Sequence, residues 1–127
     1  MCFLIDRAVA TTFRAGLPPT WRTTNSLAHL ATPTDLLSFL RSKDANADEF
    51  ARHLIVDGGG EATLMLVAAS IPYVKAWAKG NREYESEALT EVAIVVGEVR
   101  LLDELPADRH VLTMIVDLAC DRQRKRR

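Results

Sequence analysis

The residue types that most often carry out catalysis or bind metals are few in this chain and widely spaced. The three histidines, His29, His53 and His110, do not have the HxxxH or HExxH spacing that places two imidazoles on one helical face. The two cysteines, Cys2 and Cys120, lie near opposite ends, and neither belongs to a CxxC pair or to a known nucleophile motif. We therefore expect no catalytic residue, no metal site and no cofactor, and we interpret the chain as a binding protein and not as an enzyme.

Glutamates form the densest cluster of titratable side chains, at the start of a predicted helix: Glu83, Glu85, Glu87 and Glu91. Carboxylates in this position stabilise the positive end of the helix dipole. A di-metal centre in a helical bundle would need Glu-x-x-His pairs, and the sequence has none. The cluster therefore favours helix stabilisation over metal binding.

Cations are concentrated at the end of the sequence. Residues 122–127 hold five of the 16 Lys and Arg residues and no acid, which leaves 11 cations and 17 anions in residues 1–121, a net charge of −6 there. A basic end on an acidic body is suited to nucleic acid or to an acidic protein groove. The alternative is a solvated end whose cations stabilise the C-terminus of a helix.

Length and composition are those of one soluble globular domain. The chain has 127 residues, of which 48% are hydrophobic and 26% charged. It contains no apolar run of the roughly 18 residues that span a bilayer, and it does not begin with the basic and apolar segments of a secretory signal. Together with the cysteine pattern, this predicts a cytoplasmic protein that does not contact membranes.

Capping residues and apolar spacing predict an all-α bundle of five or six helices. Residues 1–31 are expected to form a partly irregular N-terminal arm, in which a short helix spans about 4–14 and Trp21 is the anchor. Residues 32–127 are expected to form a single helical domain. Its helices are predicted from the Thr32 cap to Arg41, after the Asp44 cap, over about 61–79 and 83–105, and from a restart at residues 106–108 to the cationic end. Pro72 should kink the third of these, and Gly80 should end it.

Three segments in the second half resemble region 2 of bacterial RNA polymerase sigma factors, especially the small extracytoplasmic-function type. Residues 63–78, with a proline before an xVxxxA stripe, resemble the first helix of that region. Residues 87–94, EALTEVAI, are similar to the family's EDLVQEVF helix, and residues 110–127 resemble its WLYRIARNLAIDRLRRR ending. The resemblance implies a three-helix core over about 61–124 with an N-terminal helical extension.

The resemblance also implies partners. Family members dock on the polymerase through their second helix and open promoter DNA with the loop and helix that follow. Carried onto this sequence, the polymerase-facing candidates are Glu87, Leu89, Glu91 and Ile94, although the two apolar residues have core packing as an alternative role. The DNA-facing candidates are Arg122, Arg124, Lys125, Arg126 and Arg127.

Two functions follow from the sequence. The first is a sigma-like accessory protein that binds DNA, RNA polymerase or both and regulates transcription. The second is a protein-interaction module that has lost nucleic-acid binding and forms a homodimer or binds another protein, through Trp21 or the valine-rich stretch 92–99. Three features favour the second function. The body is acidic, and the loop 102–109 lacks aromatic residues and contains the acids Asp103, Glu104 and Asp108. In addition, Asp117 lies at a position where DNA phosphates would approach.

Overall fold

The computed structural model is all-helical, as predicted. It describes residues 2–18, 21, 32–42, 44–57, 59–102, 105 and 109–126, and among these it contains six helices and no strand. The expectations for His29, the loop acids Asp103, Glu104 and Asp108, and Arg127 lie outside the described residues. In chain order the helices are α1 Cys2–Thr12, α2 Pro33–Arg41, α3 Ala45–Asp57, α4 Gly60–Ala78, α5 Arg82–Leu102 and α6 Val111–Lys125.

Helix α4 is the central element of the bundle. It contacts α1, α2, α3, α5 and α6, and its most extensive contacts are with α5. Its predicted stripe is buried at Val67, Ala68, Ile71 and Val74, but Met65, Leu66, Ala69 and Ser70 on other faces are buried too. A helix that is buried on nearly all sides is typical of a core position, and α4 therefore positions the two helices that follow it.

Pro72 lies inside α4, and an arginine from another helix compensates for it. Proline has no N–H, so the carbonyl of Ala68 loses its helical hydrogen bond. The Arg41 guanidinium at the end of α2 donates to the carbonyls of Ala68 at 2.8 Å and Ala69 at 3.1 Å. In return the Tyr73 hydroxyl donates to the carbonyl of Arg41 at 3.1 Å. The carbonyl left free by Pro72 is therefore part of the contact between α2 and α4, and α4 continues as one helix past the proline.

Local capping explains where several helices begin and end. The Asp35 N–H donates to the Thr32 hydroxyl at 3.1 Å at the start of α2, and the Asn46 N–H donates to the Asp44 carboxylate at 2.8 Å at the start of α3. Both predicted caps are confirmed. Helix α4 ends at Ala78, just before Gly80, whose φ of +87° suits glycine.

The N-terminal segment packs into the same core as the later helices. Helix α1 contacts α4, and the side chains of Ile5, Val9, Phe13, Leu17 and Trp21 are all buried in one cluster with α2–α6. The Trp21 ring lies 5.5 Å from Phe13 and 6.2 Å, edge-on, from Phe50 of α3. Trp21 is thus an anchor, as the sequence predicts, but it offers little surface to a partner.

The valine-rich stretch of α5 is also internal. Val92, Val95 and Val96 are fully buried, and Val99 is partly buried against the core. Trp21 and these three valines are therefore not available as exposed apolar surface, and Ile94, at 43% exposed, is the large apolar side chain of the stretch that reaches solvent. The large apolar side chains that are exposed among the described residues lie on four different helices: Leu4, Val56, Ile94, Leu101 and Leu118.

Candidate functional site

The cationic end of α6 lies against α5 and does not project from the body. Of the DNA-facing candidates, Arg122, Arg124, Lys125 and Arg126 occupy the last turns of α6 and its cap, and Arg127 lies outside the described residues. The α5–α6 packing is among the most extensive in the bundle. The acidic side chains of α5 are therefore close enough to form ion pairs with the cations of α6.

Two of these arginines form ion pairs with α5. Arg122 Nη2 lies 2.6 Å from a carboxylate oxygen of Glu98, and Arg126 pairs with Oε1 of Glu91. The hydrogen bond between Arg122 and Glu98 raises the pKa of Arg122 and lowers the pKa of Glu98, because it stabilises both charged forms. Both cations are thus balanced by carboxylates of the same molecule.

Arg124 and Lys125, the other two described cations, are exposed and form no ion pair with α5. Lys125 Nζ lies 3.1 Å from Asp121 one turn earlier, but that pair is exposed and contributes little to stability. Arg124 is exposed and forms no ion pair with another described residue. The part of the tip that an external polyanion could reach is therefore centred on Arg124 and Lys125.

The four polymerase-facing candidates have different exposures on α5. Leu89 and Glu91 are each only 1% exposed, while Glu87 is half-buried and Ile94 is 43% exposed. Leu89 packs in the core, which was its alternative role. Glu87 and Ile94 are therefore the members of this set with surface to offer a partner.

A cavity of about 500 Å³ opens between α5 and the end of α6. We call it the Glu91 cavity; its lining residues are Glu83, Glu87, Thr90, Glu91, Ile94, Gln123 and Arg126. Gln123 is 2% exposed and donates its side-chain amide to Glu87. Glu91 is the most buried acid of the set, and Arg126 closes over it from α6. The cavity thus combines a buried negative charge with an exposed arginine at its mouth.

A second groove, of about 520 Å³, lies between α4 and α6. Tyr73 and Trp77 of α4 form one wall, while Cys120 and Arg124 of α6 lie on the other. Burial raises the pKa of the Cys120 thiol to about 11, with a smaller contribution from Asp117. At neutral pH this thiol is protonated, so it is poorly suited to act as a nucleophile.

Two of the histidines have structural contacts. The His110 ring accepts the N–H of Thr113 at 3.3 Å and so caps α6, whereas the His53 ring stacks on Phe50 with centroids 6.1 Å apart. Asp48 of α3 also caps α6, because its carboxylate accepts the Val111 N–H at 2.7 Å. Burial raises the pKa of Asp48, but this hydrogen bond and the contacts with Arg52 and His110 outweigh it and leave the pKa below 3.8.

Two residues that contact the candidate site residues were not predicted from the sequence. Glu98 pairs with Arg122, and Gln123 donates a hydrogen bond to Glu87. The available signal was spacing: Glu91 and Glu98 are seven residues apart and share one face of α5, and Arg122 and Arg126 are four apart and share one face of α6. Matching acidic and basic stripes of this kind indicate that two helices pack with those faces together.

The described residues include no group of three or more His, Cys, Asp or Glu side chains placed to hold a metal ion.

Within the described part of the chain, no helix has both the length and the apolar character needed to cross a lipid bilayer.

Comparison with known proteins found no matching family model, no matching curated protein and no matching solved structure. The resemblance to sigma-factor region 2 therefore remains a prediction from the sequence.

Proposed function

We propose that this chain is a non-enzymatic accessory protein of transcription that binds RNA polymerase through a protein–protein surface on α5. The partner is suggested by the resemblance of residues 63–127 to sigma-factor region 2. The choice of protein over DNA is supported by one observation above all: Arg122 and Arg126 are paired with Glu98 and Glu91 of the same molecule.

Charge balance explains why this observation favours a protein partner. DNA binding gains much of its free energy when cations neutralise phosphates and release counterions. Arg122 and Arg126 would first have to leave their carboxylates, and the released carboxylates would then repel the phosphates. Their release would leave Glu91, which is 1% exposed, as an unpaired buried charge. A protein surface, by contrast, can contact α5 while both pairs stay intact.

The contact surface in this proposal is centred on Ile94. It is 43% exposed, lies on the same helix as Glu87, and borders the mouth of the Glu91 cavity. An apolar residue surrounded by charged side chains is a common arrangement at protein interfaces, where an apolar centre is excluded from water by a polar rim.

Biolayer interferometry with immobilised chain and purified bacterial core RNA polymerase tests the proposal. We expect binding by the wild type and at least a roughly tenfold loss for Ile94→Glu, since a charge in the centre of an interface is strongly unfavourable. Leu4→Glu is the matched control, because Leu4 is also apolar and 64% exposed but lies on α1 and not on α5. We expect it to change the affinity less than about twofold. No wild-type binding at micromolar polymerase, or equal losses in the two variants, would refute the proposal.

A second candidate function, DNA binding by the α6 tip, is favoured by the exposure of Arg124 and Lys125. Both are exposed, neither takes part in the ion pairs with α5, and both could contact phosphates. Electrophoretic mobility with a short duplex tests it: Arg124→Ala should weaken binding, whereas Arg14→Ala, an exposed arginine that follows α1, should not. If the two variants bind equally, the tip is not the DNA contact.

A further inference from the structure

We infer that the Glu91 cavity is a binding site for a guanidinium group, and that Arg126 occupies it as an internal competitor. The inference concerns the isolated chain and does not require RNA polymerase as a partner. It depends on the burial of Glu91, on the contacts of its two carboxylate oxygens, and on the position of Arg126.

The carboxylate of Glu91 is incompletely paired for a charge so deeply buried. The residue is 1% exposed, and neither carboxylate oxygen has a hydrogen-bond partner among the described residues. Oε1 is in an ion pair with Arg126, but Oε2 has no partner of either kind there. Burying a carboxylate costs free energy unless its oxygens are satisfied, so this side chain retains an unused capacity to accept N–H groups.

Guanidinium is the cation whose geometry suits this carboxylate. It is planar and can donate two parallel N–H groups to the two oxygens of one carboxylate. Arg126 uses only Oε1, while a ligand entering the cavity could contact both oxygens. The walls also suit such a ligand, because Ile94 offers apolar surface to an alkyl stem and Glu83 and Glu87 add negative charge.

Arg126 is placed so that a ligand can displace it. It is the C-cap of α6, and its side chain is 63% exposed although its partner is almost wholly buried. Because most of the Arg126 side chain is in solvent, it can leave the Glu91 carboxylate by rotation about its own side-chain bonds, with no change in the packing of α6. The cavity volume of about 500 Å³ lies within the range of small-ligand sites.

The source of the guanidinium is either a small molecule or an arginine side chain of another protein, and two probes separate these. The first probe is agmatine, a short alkyl guanidine, and the second is a blocked Gly-Arg-Gly peptide. Butylurea, a neutral analogue of similar shape, is the control ligand. Tighter binding of agmatine than of the peptide indicates a small-molecule ligand, and the reverse indicates a protein segment; either result supports the guanidinium site.

The test is an NMR titration of the full chain that follows the side-chain N–H signals of Gln123 and Arg126. We expect agmatine, but not butylurea, to shift both signals. Arg126→Ala removes the competitor and should tighten agmatine binding roughly twofold to fivefold, as expected from the strength of an exposed ion pair. Lys125→Ala, which removes a neighbouring cation paired with Asp121, should leave the affinity within about twofold. Glu91→Gln should abolish binding.

Three results would overturn the inference: no shift with either guanidinium probe, equal binding of butylurea, or the same affinity change in Arg126→Ala and Lys125→Ala. Substitution of a buried residue such as Glu91 can also affect folding, so the comparison of the Arg126 and Lys125 variants decides the question without Glu91→Gln. Polymerase is absent from this experiment, so its outcome is independent of the interferometry test. A chain that binds polymerase but not agmatine would refute only the cavity inference.

Discussion

At the scale of single residues, a few side chains hold helices together by satisfying backbone groups that the helices leave unpaired. Asp48 is the clearest case, since its carboxylate accepts the first N–H of α6 from Val111 and also binds Arg52 one turn later in α3. It therefore connects α3 to the helix that carries the cationic tip. The same hydrogen bonds hold its pKa below 3.8.

This connection predicts a pH-dependent stability. A carboxyl whose folded-state pKa is lowered stabilises the fold above its unfolded pKa, and the effect is lost as the pH falls through the folded-state pKa. We expect Asp48→Ala to lower the free energy of unfolding by about 1 kcal/mol at neutral pH. The difference from wild type should shrink as the pH falls below 3.8. Urea unfolding across this pH range measures it.

Glu49→Ala is the control for this prediction, because Glu49 is the adjacent carboxylate and is exposed. It should change the free energy of unfolding by less than about 0.5 kcal/mol. A cost of Asp48→Ala that is the same in acid and at neutral pH would show that its carboxylate charge does not stabilise the fold.

At the scale of helices, the pairing of Arg41 with the proline site of α4 predicts a specific coupling. Arg41→Met keeps the apolar stem but leaves the carbonyl of Ala68 without a donor, and should cost about 1–3 kcal/mol. Pro72→Ala restores a backbone N–H four residues after Ala68. In the Pro72→Ala background the cost of Arg41→Met should therefore fall by at least about 0.5 kcal/mol. A double-mutant cycle by urea unfolding measures this difference, and strictly additive effects would contradict the account.

Helices were predictable from the sequence where the signal is local, and contacts between them were not. The Thr32 and Asp44 caps, Gly80 and the apolar spacing located most helix ends to within a few residues. The burial of α4 on nearly all sides results from contacts with five neighbouring helices, so it could not be predicted from the sequence of α4 alone. The ion pairs at the cationic end were not predictable for the same reason: five cations in sequence indicate a positive end, but Glu91 and Glu98, which pair with two of them, lie about 30 residues earlier.

At the scale of the whole molecule, the N-terminal segment and the later helices share one core. Trp21 is buried between Phe13 and Phe50, so Trp21→Ala should destabilise the entire domain by about 3–5 kcal/mol. Urea unfolding followed by circular dichroism should show one transition shifted to lower urea. Leu4→Ala, at a site that is 64% exposed, is the control and should have little effect. A loss for Trp21→Ala that is no larger than this control would contradict a shared core.

The burial of the two expected apolar surfaces bears on the oligomeric state. The sequence predicts a homodimer through Trp21 or the stretch 92–99, but Trp21 and the valines Val92, Val95 and Val96 are internal. This leaves Ile94 as the exposed large apolar side chain of that stretch, which is too little surface for a stable dimer. We therefore predict a monomer of 14.1 kDa by light scattering coupled to size-exclusion chromatography. Twice that mass, independent of dilution, would indicate an interface elsewhere on the surface.

The central claim is that two acids of α5, Glu98 and Glu91, neutralise Arg122 and Arg126 at the end of α6, and the salt dependence of DNA binding tests it most directly. Five available cations would give a log–log slope of about −4.5 for duplex DNA, because each phosphate contact contributes roughly −0.9. With Arg122 and Arg126 paired, at most three cations contribute, so we predict weak binding with a slope no steeper than about −2.7 for the wild type. The slope should steepen by about 1 for Glu98→Gln, which releases Arg122. A wild-type slope near −4.5 that Glu98→Gln does not change would contradict the account.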